Sequence, residues 1–368
     1  MESIRILHVV GRMDMGGTET MIMNLFRNIN RKKVIFDFVV HTNKKGHFDD
    51  EIHSLGGQIY RVPRFKLYNI FSYYKSWQIL LNRITNYKLM HGHIGSSASI
   101  YLNMAKKRGL HTIAHSHNTS MGLSIKGIAF SLLSYNTRYI AHSFFACSID
   151  AGISRFGKNI VNKNFSVINN AINVGMFEYN VKTRTSIQSK FNLKGKFVIG
   201  HVGRFNEQKN HEFVIDIFNE ICKVQKNAVL LLVGDGELRK VIEEKARNLG
   251  LIDSVMFTGV RTDTADLYQA MDVFLFPSLY EGLGIVLIEA QAAGLKCIVS
   301  DVIPKEAHVT DLIKPISLKA NVEIWADEVL KSASYERSAN NSIIIEKGYD
   351  IKDTAKRLED FYFEKSMQ

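Results

Sequence analysis

Almost from end to end, the chain alternates between short runs rich in Ile, Val and Phe and longer segments with helical spacing of apolar residues. That alternation restricts the fold more than any other feature. Strand–helix–strand units return to the same sheet by crossover, which builds parallel sheets covered by helices on both faces. In the first half, strands are expected near residues 4–10, 34–42, 58–62, 88–93, 111–117, 143–148 and 165–168. Helices such as 18–29, 70–86, 97–108 and 124–138 fall between them. In the second half, strands are expected near 197–202, 228–233, 255–258, 272–277 and 297–300, with helices 210–224, 237–249, 264–270 and 285–293. The pattern lapses between about 169 and 196, where Asn-rich and polar residues form no clean strand.

A chain of 368 residues exceeds the roughly 250–300 at which a single core stops growing, so two domains are expected. We place them at 1–178 and 179–350, with an amphipathic helix over 351–368 packing back toward the first. The fold class is α/β: two Rossmann-like, doubly wound parallel-sheet domains facing each other across a cleft. In such sheets ligands sit beyond the carboxyl ends of the strands.

With 46% hydrophobic and 23% charged residues the composition is that of a globular protein. No apolar run approaches the roughly 20 residues needed to cross a bilayer. The first ten residues read as a first strand, not as a leader, and Cys147, Cys222 and Cys297 lack metal spacing. A reduced, cytoplasmic setting is the expectation. Charge is distributed unevenly. Residues 1–180 carry 22 Lys and Arg against 9 Asp and Glu, a balance of +13, whereas the remainder carries 25 against 27. An anionic partner for the first half is one explanation, and a lysine-rich surface is the other.

Candidate site residues cluster just after expected strands. Glu281 and Glu289 bracket Gly282, Leu283, Gly284 and a short, very apolar helix that Gly294 should stop. A carboxylate in so apolar a helix needs a partner to offset its desolvation, and the Gly-rich start offers amides to a phosphate. A Gly-rich turn with a salt-bridged Glu is the bland alternative. Arg204 and Lys209 follow strand 197–202, where they could grip a diphosphate or form an ordinary solvated loop. Val260 follows strand 255–258 beside Gly259. In the first half, Gly16 and Gly17 form a loop after strand 4–10, with Thr18 as a possible N-cap. This loop is neither a Walker A sequence nor a full Gly-x-Gly-x-x-Gly, which argues against ATPase and NAD-binding functions. His91, His93, His115 and His117 alternate along two strands, with His117 nearest a carboxyl end. No Cys or carboxylate joins them at ligand spacing, so no metal site is expected.

Together these residues resemble glycosyltransferase family 4, retaining enzymes of the GT-B fold, over essentially the whole chain. The most specific elements are Glu281-x7-Glu289 and Gly203-Arg204-x4-Lys209, in the family's order and spacing. The segments 168–173 and 299–306 are similar to the branch that builds bacterial capsular polysaccharides and exopolysaccharides. The resemblance implies that Arg204 and Lys209 hold the donor diphosphate and that Glu289 binds ribose hydroxyls. It further implies that Glu281 contacts the donor sugar beside the backbone of Gly282, Leu283 and Gly284. Gly16 and Gly17 would approach the phosphate, His117 the sugar, and Val260 the base. A UDP-sugar donor, no metal or other cofactor, and retention by same-face displacement are also implied. The chain departs from the family where residues 169–173 replace a Pro-Asn-Gly-type turn, and segment 121–128 matches no known role.

The acceptor is expected on the basic first half, as a saccharide or an undecaprenyl-diphosphate-linked saccharide. Residues 61–77 interleave Arg and Lys with aromatics, which fits either contact with an anionic membrane surface or a helix packed on the sheet. Rival functions are a GT-B nucleotide-sugar epimerase and a nucleotide-sugar-binding subunit with weak turnover. Nucleic acid is not an expected partner, because no zinc-finger or RNP-like motif accompanies the charge.

Overall fold

The computed structural model describes residues 3–117, 134–338 and 341–367. It divides into two compact units: Met1–Ala171 with Ile351–Gln368, and Ile172–Asp350. The first unit therefore ends before the expected boundary at residue 178. The reason is packing: Ile172, Val174 and Phe177 sit in the core of the second unit against Tyr268 and Leu287.

The first unit holds seven strands: β1 (Ile4–Val10), β2 (Val34–Val40), β3 (Ile59–Arg61), β4 (Leu89–Gly92), β5 (His111–Ser116), β6 (Ser143–Ala146) and β7 (Phe165–Val167). Their order is β3-β2-β1-β4-β5-β6-β7, and every pairing is parallel. Strand order reverses between β1 and β4, the crevice where doubly wound sheets bind ligands. All seven residues of β2 are buried, as both faces must be when helices cover each side. The final helix, Ile351–Met367, seals one face by burying Ile351, Ala355, Leu358 and Tyr362 in the core around β1 and β2.

The second unit has six parallel strands: β8 (Phe197–Val202), β9 (Ala228–Val233), β10 (Val255–Phe257), β11 (Val273–Phe276), β12 (Lys296–Ser300) and β13 (Ile313–Ile316). The order is β10-β9-β8-β11-β12-β13, with the reversal between β8 and β11. The sequence reading missed β13. Its Ile-Lys-Pro-Ile run lacks strand alternation, and Pro315 is tolerated because β13 is an edge strand. The polar stretch after Asn180 is a helix, Val181–Lys190, capped by the Asn180 side chain accepting from Thr183 N at 3.0 Å. Gly294 does stop the helix Ile285–Ala292: its φ is +69°, and a Cβ there would strike the Ser338 carbonyl. Most of the expected 124–138 helix and all of segment 121–128 lie outside the described residues; Thr137–Ile140 is helical.

Helix Ile70–Arg83 turns Tyr73, Trp77, Leu80 and Leu81 into the first unit's core. Phe71, next to Ser72 on its other side, is 88% exposed, and Tyr68 just before the helix is 81% exposed. No helix among the described residues is long and apolar enough to cross a membrane.

Candidate functional site

In the second unit, the loops that follow β8 and β11 are tied together by backbone and amide groups. Leu279 N donates to Gln208 O at 2.8 Å, and Gln208 Nε2 donates to Tyr280 O at 3.0 Å. Asn210 adopts the left-handed conformation (φ 56°), which starts the helix His211–Val224, and its amide donates to Pro277 O at 3.1 Å. Asn is among the few non-Gly residues that enter this region readily. These ties bring Lys209 onto Glu281, with Nζ to Oε1 at 2.6 Å and both side chains largely buried. The ammonium also lies 4.7 Å from the centre of the Phe276 ring. Lys209 is therefore aimed by Glu281 and screened from water.

Gly282, Leu283 and Gly284 lead into the helix Ile285–Ala292. Gly284 takes φ +76° as the N-cap residue, a conformation that L side chains disfavour, and it has no side chain with which to cap the helix. Its first amides stay available. One turn on, Glu289 accepts a hydrogen bond from Tyr268 Oη at 3.0 Å, and the same hydroxyl lies 3.2 Å from Val286 O. No ion pair to Glu289 occurs among the described residues. Its apolar surroundings push the carboxyl pKa up to about 7, although the Tyr268 hydrogen bond pulls the other way. The salt-bridged alternative thus describes Glu281 and not Glu289. Arg204 lies on the surface, 3.2 Å from Glu237. Val260 projects 66% exposed from the loop after β10, which is joined to the loop after β9 by Gly234 N donating to Gly259 O at 2.9 Å.

In the first unit, Gly16 and not Thr18 is the N-cap of helix Gly17–Asn28. The Glu19 carboxyl folds over Gly16, and burial raises its pKa. An open cavity of about 970 Å³ adjoins this loop, lined by Arg12, Gly16, Glu19, Arg64, Lys66 and Tyr68 among others. His117 Nε2 lies 2.8 Å from His93 Nδ1, and burial lowers the His117 pKa to about 4, so the ring is neutral. The structure gathers a fifth histidine, His8, which the sequence reading overlooked. Two triads, His8–His91–His93 and His93–His115–His117, hold ring nitrogens within 4.8 Å of one another, close enough to consider a metal.

The expected residues thus form two sets in different units. Lys209 and Glu281 touch, and Glu289 lies in the helix Ile285–Ala292 that follows Glu281. Arg204 follows β8 and Val260 follows β10, with β9 between them, while Gly16, Gly17 and His117 belong to the first unit. Tyr268, Phe276, Gln208 and Asn210 were not singled out from sequence. Only Asn210 left a local signal, an Asn placed just before a helical run.

Comparison with known proteins settles the family. Residues 183–314 match the model for glycosyl transferases group 1. The putative glycosyltransferase EpsF of Bacillus subtilis is 32% identical over 97% of this chain and 96% of its own length. The chain belongs to the group 1 glycosyltransferases. The capsular polysaccharide biosynthesis glycosyltransferase CapH of Staphylococcus aureus is 26% identical over 99% of this chain and all of its own. Among solved structures, Anabaena HepE in complex with UDP superimposes with a TM-score of 0.79 over 98% of this glycosyltransferase and all of HepE, at 16% identity. Parallel sheets of seven and six strands and this likeness identify the fold as GT-B.

Proposed function

We propose that this glycosyltransferase is a retaining family 4 enzyme that moves a sugar from a UDP-sugar to a saccharide or lipid-diphosphate-linked saccharide during capsule or exopolysaccharide synthesis. The observation that carries the reading is the Lys209–Glu281 pair beside the uncapped start of helix Ile285–Ala292, at the strand-order reversal of the second sheet. Negative charge develops on the departing nucleoside diphosphate. Lys209, Arg204 and the helix-start amides stabilise it. Those groups supply the charge that a divalent metal would otherwise bring, so the diphosphate needs no metal. Glu281 aims Lys209 and uses its second oxygen for a donor-sugar hydroxyl. Glu289, with no cation beside it among the described residues, accepts from ribose hydroxyls, and Val260 offers an apolar contact to the base. His117 meets the donor sugar.

None of the candidate carboxylates serves as a nucleophile in this scheme. The acceptor hydroxyl attacks the face the diphosphate leaves, and a departing phosphate oxygen takes the hydroxyl proton. The uridine assignment draws on the likeness to HepE, and the polysaccharide setting on the likeness to CapH. On the first unit, exposed Tyr68 and Phe71 beside Lys66 and Lys75 suit an anionic bilayer surface carrying the acceptor.

The test is binding and slow hydrolysis of UDP-, GDP- and ADP-sugars in EDTA. A single UDP-sugar bound and hydrolysed supports the reading. Exclusive use of another nucleotide overturns the uridine assignment, a metal requirement overturns the metal-free diphosphate, and binding of none by folded protein overturns the whole reading.

A further inference from the structure

The five histidines of the first unit form two rows. Alternate residues along and just beyond β1, β4 and β5 face the same side of the sheet, which places His8, His91, His93, His115 and His117 together. In one row, His8 Nδ1 lies 3.0 Å from His93 Nε2, and His93 Nδ1 lies 2.8 Å from His117 Nε2. The ring planes differ by only 13° and 26°, with centres 5.3 and 5.1 Å apart, as end-on approach requires. In the other row, Tyr362 Oη lies 2.6 Å from His91 Nδ1, and His91 Nε2 lies 3.1 Å from His115 Nδ1. The rows stack face to face, His91 on His93 at 4.3 Å and His115 on His117 at 4.1 Å.

This geometry favours hydrogen bonds over a metal. Zinc bonds of about 2.0–2.1 Å at tetrahedral angles would hold ligand nitrogens about 3.3 Å apart, with lone pairs converging. Here near-coplanar rings point their nitrogens at each other, at 2.8 and 3.0 Å in the first row. Each nitrogen–nitrogen contact takes one proton, so a row of neutral rings has a direction. His8 decides it. Its Nε2 is buried without a partner among the described residues, with the Phe36 ring centre 4.2 Å away. A hydrogen placed there would be an orphaned donor, which folded proteins avoid more strictly than an idle acceptor. The proton therefore sits on His8 Nδ1 and is given to His93. His93 then carries its own on Nδ1 and gives it to His117 Nε2.

We infer that His8 and His93 are positioning residues that hold His117 as the Nδ1–H tautomer, so that His117 meets the donor sugar as a hydrogen-bond donor. This deepens the role of His117 proposed above and rests on it. The tautomer itself is measured on the resting protein, so loss of the sugar contact and failure of the row are told apart.

The experiment is long-range ¹H–¹⁵N correlation of the imidazoles, with His117 identified by its loss in His117→Gln. Wild type should give His117, His93 and His8 all protonated at Nδ1. His93→Leu should move His117 toward the Nε2–H form and lower kcat by roughly 10–100-fold, by analogy with the loss of groups that orient metal-bound histidines. Donor KM should change less than about threefold. His93→Asn, whose amide can still donate to Nε2, should restore both the tautomer and most of kcat. His117 protonated at Nε2 in wild type, a tautomer unmoved in His93→Leu, or one equivalent of tightly held zinc would each overturn the inference. Should His93→Leu not fold, the wild-type tautomer alone decides.

Discussion

Substituting Glu289 with Gln tests a largely buried carboxyl. Burial raises its pKa from an ordinary 4.5 to about 7. A carboxyl held above its unfolded value binds its proton more tightly in the folded state. The stability it contributes is therefore present below about pH 4.5 and is lost as pH rises toward about 7, remaining lost above that. The gap corresponds to roughly 3 kcal/mol, taken as a ceiling, at 1.36 kcal/mol per pH unit. Gln cannot ionise, so Glu289→Gln removes that slope. In urea unfolding of both proteins, variant stability minus wild-type stability should climb by up to about 3 kcal/mol between pH 4.5 and 7.5. Imperfect packing of the amide shifts the whole difference curve without bending it, which is why the slope is the readout. In parallel, UDP-sugar affinity should fall by roughly 10–150-fold, the equivalent of one hydrogen bond to a charged group. A difference curve flat across this range would refute the burial argument. Unchanged donor affinity would refute the ribose role.

Three further outcomes follow from the same geometry. Arg204→Ala, at an exposed position paired with Glu237, should leave folding intact and lower kcat by about 10–100-fold with little change in donor KM; a purely KM effect would remove its role with the leaving group. Lys209→Met leaves Glu281 nearly buried without its cation and should destabilise the protein by a few kcal/mol, whereas Lys209→Met with Glu281→Gln should regain most of that stability but no activity. Chemical unfolding and turnover of both variants decide this. Tyr68→Ser with Phe71→Ser should reduce co-sedimentation with anionic vesicles, leaving neutral vesicles and soluble-acceptor turnover unaffected; equal sedimentation of variant and wild type would remove the membrane reading of this surface.

The parallel sheets were legible because strands buried on both faces, such as Val34–Val40 and Phe197–Val202, are nearly unbroken apolar runs. The stop at Gly294 was legible for a similarly local reason, since one backbone conformation there excludes other residues. β13 escaped because an edge strand needs no apolar alternation and tolerates Pro315. The site residues Lys209, Glu281 and Glu289 could be picked out by residue type and position after strands. What each one touches could not. Lys209 meets Glu281 across 72 residues, and Tyr268 reaches Glu289 across 21. His8 joins His93 across 85 residues. Local sequence determines periodicity, turns and caps, because those depend on neighbours along the chain. Which charge is paired, which carboxyl is left to a tyrosine, and which way a row of imidazoles points depend on strand order, and only the folded sheets decide that.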